Sequence, residues 1–113
     1  MKGFYVIEIQ FKFIQDFEKG LIALKFFENL VTQSKVFGKG IEHDSIHYLE
    51  HIYFKWQKGN TKIKLYIDDY NAHSLCFDIF ANTQATCIYY SKILEDLIKL
   101  NVNDINVVKN WVN

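Results

Sequence analysis

Three histidines, His43, His47 and His51, recur at four-residue intervals, and on a helix that spacing would gather them on one face as ligands for a zinc ion. The residues around them argue for a strand instead. Between Ser45 and Gln57 the even positions Ile46, Tyr48, Ile52, Phe54 and Trp56 are apolar, while His47, His51, Lys55 and Gln57 take odd ones. In a strand the outer histidines stand roughly 25 Å apart, too far to share an ion. No HExxH accompanies them. They are expected to be ordinary surface or interface histidines, with no metal bound.

Nucleophilic catalysis would require Cys76, Cys87 or a serine beside a histidine base. His73 is close to Cys76 along the chain, yet residues three apart in a strand point to opposite faces. There is no GxSxG, and the GKG at Gly38 lacks the spacing of a phosphate-binding loop. Asp68 and Asp69 fall in one turn with Asp78 on the strand after it, but paired-carboxylate hydrolysis would need such groups to converge in a cleft. Turn-forming aspartates that bond their own backbone are the ordinary reading, and an acidic patch facing a basic partner is the functional one. No enzyme and no cofactor are expected.

A further constellation is aromatic. Tyr53, Tyr66 and Phe80 interleave with Lys55, Lys62 and Lys64 on what should be the wet side of a sheet, an arrangement on which single-stranded nucleic acid can stack its bases. Against it stand a formal net charge of zero and the absence of arginine, whose planar fork reads phosphates and guanine edges. Strand-favouring packing also accounts for aromatics without any ligand.

The elements that must position these residues follow from periodicity. Tyr5, Ile7, Ile9, Phe11 and Phe13 alternate with Glu8, Gln10 and Lys12, predicting a first strand. Asp16 can cap a helix running to about Ser34, with Phe17, Leu21, Leu24, Phe27, Leu30 and Val31 at three- and four-residue steps. The VFGKG segment is a loop. The strand over 45–57, with a bulge at Glu50, turns through Gly59 and Asn60 into a strand over 62–68. A turn over 69–73 leads to a strand bearing Leu75, Phe77 and Ile79. Asn82 or Thr83 then caps a second helix reaching about Leu100, with Asn101 a left-handed stop. Asp104 could cap a short last helix, though Ile105, Val107 and Trp111 would also suit a strand.

The predicted fold is therefore α+β, a single domain over residues 1–113: a four-stranded, largely antiparallel sheet in chain order β-α-β-β-β-α plus a short C-terminal element, with two helices packed on one face. Half the residues are hydrophobic and 17% are aromatic, enough for one packed core. Two cysteines make no disulfide framework, and buried reduced thiols are expected. Glu8, Gln10 and Lys12 interrupt the apolar opening, so no signal-peptide core forms, and no apolar run is long enough to span a membrane. The expected compartment is the cytoplasm. Charge is unevenly spread: six acids and three lysines follow Leu65 inclusive, and seven acids and ten lysines precede it, a mild dipole.

In general character the chain resembles the small cytoplasmic immunity proteins of bacterial contact-dependent toxin systems. The features that carry the resemblance are the alternating opening FYVIEIQFKF, the IHYLEHIYFKW strand and the DDYNAH turn in a lysine-, asparagine- and isoleucine-rich background. The resemblance implies a cognate protein toxin with a basic surface, often a nuclease, neutralised by direct contact. Near-zero net charge departs from the strongly acidic immunity proteins and favours a mixed interface. Asp68, Asp69, Tyr70, His73 and Asp78 are expected to form part of the contact surface, with Glu42 and Asp44 as neighbours if their loop folds toward them. The alternative is a single-stranded RNA- or DNA-binding domain.

Overall fold

The computed structural model describes residues 4–13, 21–38, 41–44, 52–67 and 74–112. Their elements run in the order β1 (Tyr5–Phe13), α1 (Leu21–Ser34), β2 (Ile41–Asp44), β3 (Ile52–Lys58), β4 (Thr61–Ile67), β5 (Ser74–Ala81), α2 (Gln84–Asn101) and β6 (Ile105–Trp111). The class is α+β as expected, with an antiparallel sheet and two helices. Among the described residues, however, the sheet has six strands, in the spatial order β2-β3-β4-β5-β1-β6.

Two strands account for the difference from four. The short β2 lies where a loop was expected, immediately after the glycine-rich segment, and four residues are too few for periodicity to reveal. The C-terminal element is β6, which pairs antiparallel with β1, and not a helix. Asp104 does not cap a helix; it holds a left-handed φ of 57° that turns the chain from α2 into this edge strand. Asn101 is the last residue of α2, and Val102 beyond it is extended, so the expected left-handed stop is absent. The expected strand over 45–57 is β3 over Ile52–Lys58, and Glu50 with the rest of that stretch lies outside the described residues, as does Asp16.

The first hairpin and the second helix cap are as read, while the turn over 69–73 and the start of the first helix lie outside the described residues. Lys58 pairs with Thr61 across a two-residue turn in which Gly59 takes φ 62°. Positive φ at the first central residue alone is the II′ pattern, and its twist matches the strands it joins. Thr83 caps α2, its Oγ1 accepting from the Thr86 backbone N–H at 3.1 Å.

Odd residues of β1 and β5 and of β4, with even residues of β3, form the inner face. Ile7, Ile79, Ile63 and Trp56 make one cross-strand row and Ile9, Phe77, Leu65 and Phe54 the next. Both helices close over this face. Phe27 of α1 packs edge-on to Phe11 and stacked on Phe77, with centroids 5.7 and 6.3 Å apart. The Trp56 indole N–H reaches Thr32 Oγ1 at 3.4 Å, so the largest core side chain has a polar partner on the same helix. From α2 come Cys87, Leu94 and Ile98, all fully buried. Glu95 accepts from Lys109 Nζ at 2.7 Å, tying α2 to β6. Burying the core, at about 25 cal/mol per Å2 of apolar surface, drives the assembly and leaves the other sheet face uncovered by either helix.

Candidate functional site: the outer sheet face

The pleat that sends hydrophobic residues inward sends Glu8, Asp78, Lys64 and Lys55 outward, and the strand register sets them in one line. Lys55 pairs with Lys64, Lys64 with Asp78, and Asp78 with Glu8. Four adjacent strands thus carry a cross-strand row of two positive and then two negative charges, spanning roughly 14 Å at about 4.8 Å per strand. Like charges directly opposite each other destabilise a sheet, and this row contains two such pairs.

The acidic pair is bridged by a phenol. Tyr66 lies one row away on β4, and its hydroxyl is 3.2 Å from both Glu8 Oε2 and Asp78 Oδ1. A phenol has one proton, so it donates to one carboxylate at a time while the other is left with the repulsion. Burial, foremost, and the neighbouring Glu8 push the Asp78 carboxyl above its ordinary range, while the Tyr66 hydroxyl and Lys64 pull the other way. Burial followed by the Asp78 charge drives the Tyr66 hydroxyl well above the usual phenol range, so it stays protonated and remains a donor.

The basic pair borders a hollow. Phe4, Tyr53, Lys55, Lys62, Lys64 and Phe80 line a concavity of about 360 Å3. Lys64 Nζ sits 4.5 Å from the Tyr53 ring centroid and 5.5 Å from that of Tyr66, held between two π faces. Lys62 pairs with Phe80, and Lys55 and Lys64 face each other, so three ammonium groups share an aromatic-walled depression. Such a site suits an anionic group attached to a flat or apolar body, since the rings offer contact area and the lysines offer charge. Cys76 lies on this face too, but it is buried and forms no disulfide; Cys87 is buried beneath α2 with its thiol pushed up by burial and directed at the Tyr5 carbonyl, 3.4 Å away.

Of the residues expected at a contact surface, Asp78 lies at the centre of the charged row. Asp68, Asp69, Tyr70 and His73 lie outside the described residues, as do His47 and His51. Glu42 and Asp44 pair through their backbones with Phe54 and Ile52 on the edge strand β2, three strands from Asp78, so they are not its neighbours. The expected alternation of Tyr53, Lys55, Lys62, Lys64, Tyr66 and Phe80 on one side is as read. Sequence reasoning missed Glu8 and Phe4. The wet position of Glu8 in strand one was visible, but only the register could bring it opposite Asp78.

Among the described residues no group of three or more His, Cys, Asp or Glu is arranged to hold a metal ion. No described helix is long and apolar enough to cross a membrane. The fold and this face define an α+β domain whose helices cover one side of the sheet and leave a charged, aromatic side uncovered by either of them. The chain matches no protein-family model, no curated protein and no solved structure.

Proposed function

We propose that this chain is a non-enzymatic binding module that grips another protein through its outer sheet face, and that the partner is a toxin it neutralises. The observation that carries the reading is the Lys55–Lys64–Asp78–Glu8 row, in which two like-charge pairs stand opposed on adjacent strands. Such pairs cost stability in the free protein, and a partner of complementary charge turns that cost into attraction. The resemblance to contact-dependent immunity proteins supplies the class of partner. The row refines the charge expected of it: a basic group opposite Asp78 and Glu8, and an acidic one at the lysine-rimmed hollow.

Phe4, Tyr53 and Phe80 supply the rigid aromatic area that anchors protein interfaces at low entropy cost. Blocking by occupation needs no bond made or broken, so scattered thiols and histidines are compatible with it. The direct test is co-expression with the product of the reading frame beside its gene. The wild-type chain restores growth, and a Lys55→Glu, Lys62→Glu variant, which sets no like charges opposite each other and keeps Lys64 beside Asp78, does not, at an unchanged melting temperature. Full rescue by that variant removes the outer face from the account.

The hollow itself favours one second reading, binding of single-stranded nucleic acid, because rings and ammonium groups line the same depression. That reading demands salt-sensitive binding of a labelled single-stranded RNA, lost on Tyr53→Ala with Tyr66→Ala. Binding that is absent at low salt eliminates it.

A further inference from the structure

The outer edge of β6 has no neighbouring strand among the described residues, and its hydrogen-bonding parity sets which registers could pair with it. The Val112 backbone N–H bonds the Val6 carbonyl at 2.8 Å, which makes Val6 and Val112 a hydrogen-bonded pair of the β1–β6 ladder. In an antiparallel ladder such pairs alternate, so Asn106, Val108 and Asn110 direct their backbone groups to β1. Ile105, Val107, Lys109 and Trp111 direct theirs the other way, past the last strand of the sheet. Seven residues of edge are long for a strand with no further neighbour among the described residues, and Val108, Trp111 and Val112 are exposed on it.

We propose that this edge pairs with the β6 edge of a second copy, antiparallel about a two-fold axis through Val108. Only registers that oppose odd residues to odd residues satisfy the outward-pointing groups, and among these charge and full overlap of the seven residues together select one. Centring on Lys109 would set lysine against lysine, and centring on Val107 would leave Trp111 unpaired. Centring on Val108 aligns all seven residues: Ile105 opposes Trp111, Val107 opposes Lys109, Asn106 opposes Asn110 and Val108 opposes itself. No like charges face each other directly, and the two Lys109 side chains, now diagonal neighbours, are each already held by Glu95 of their own α2.

On the helix side of the sheet, half-exposed Trp111 gains Ile105 of the second copy as an apolar neighbour. The two-fold axis is perpendicular to the sheet, so both helix layers fall on one side and both outer faces on the other. The dimer is therefore closed, and it offers two copies of the charged row side by side. Pairing β6 with β2 of another copy would be heterologous and would propagate into filaments.

An isolated strand pairing lies at the small end of interfaces, below about 1,200 Å2, so the association is concentration-dependent. Sedimentation velocity of the full chain from about 5 to about 500 µM tests it. The mass is expected to rise from 13.4 kDa toward twice that value. Val108→Lys, an exposed change that sets like charges across the axis, is expected to weaken dimerisation at least tenfold. Val107→Pro removes an outward N–H without touching the β1 ladder and should do the same. In amide exchange, protection of Ile105, Val107, Lys109 and Trp111 should rise with concentration, while Asn106, Val108 and Asn110 are protected throughout. A monomer over the whole range, a Val108→Lys dimer as tight as wild type, or filaments in place of dimers would each overturn the proposal.

Discussion

Replacing Asp78 by asparagine should stabilise this protein at alkaline pH and do almost nothing at acid pH. Asp78 and Glu8 face each other directly across β5 and β1, where Cβ atoms are about 5 Å apart. At that separation and an effective dielectric of about 20, two unit charges repel by about 3 kcal/mol. The Tyr66 hydroxyl and Lys64 offset part of this, leaving a net cost of about 1–2 kcal/mol when both acids are ionised. The sign follows from the raised Asp78 pKa. A carboxyl that holds its proton more tightly when folded contributes stability that is fully present below its ordinary value of 3.8 and is lost as pH rises through the raised value. An asparagine side chain in its place cannot ionise, keeps a carbonyl to accept from Tyr66, and so escapes that loss. Urea unfolding at pH 4 and pH 8 gives the comparison: Asp78→Asn should be more stable than wild type by about 1–2 kcal/mol at pH 8 and within about 0.5 kcal/mol at pH 4. A variant less stable than wild type by the same amount at both pH values would refute the reasoning, because the carboxylate would then be a net stabilising partner.

Tyr66→Phe should act in the opposite direction, costing about 1.5–3 kcal/mol at pH 8 by withdrawing the donor from two carboxylates, and less at pH 4, as read by the same urea curves. Phe27→Ala empties the site between Phe11 and Phe77 and should cost about 3–5 kcal/mol in chemical denaturation. Glu95 is drawn down to about 2 chiefly by the hydrogen bond from Lys109 and then by that from Lys99, so its contribution is present above its ordinary value of 4.5 and disappears as pH falls toward 2. Glu95→Gln should therefore lower the melting temperature at pH 7, by an amount corresponding to about 1 kcal/mol, and by less than half of that at pH 2, where the folded carboxylate is itself half protonated.

Much of the fold was legible because one face of each long strand had to be apolar. The alternation of Tyr5 to Phe13, the Gly59–Asn60 turn and the Thr83 cap are local signals, and each is found where the residues indicate. The element that escaped, β2, and the one left open between helix and strand, β6, lack such a signal. β2 is four residues long, and β6 is an edge strand whose inner face includes Lys109 and an exposed Trp111, so its burial pattern fits a helix nearly as well as a strand. The charged row was hidden for a different reason. Asp68 and Asp69 are adjacent in sequence and stand out as an acidic patch, whereas Glu8 and Asp78 come together only through the β1–β5 register. Periodicity identifies which face a residue takes; it does not say which residue stands opposite.

The most direct test of the binding proposal is calorimetric titration of the proposed partner, the purified product of the adjacent reading frame, into wild-type chain and into the Lys55→Glu, Lys62→Glu variant. Reversing two of the three lysines at the hollow should weaken binding at least a hundredfold with the melting temperature preserved, since neither change opposes like charges. Equal affinity for the two proteins, together with loss of binding when exposed Ile88 and Tyr89 of α2 are changed to lysine, would contradict it and move the contact to the helices.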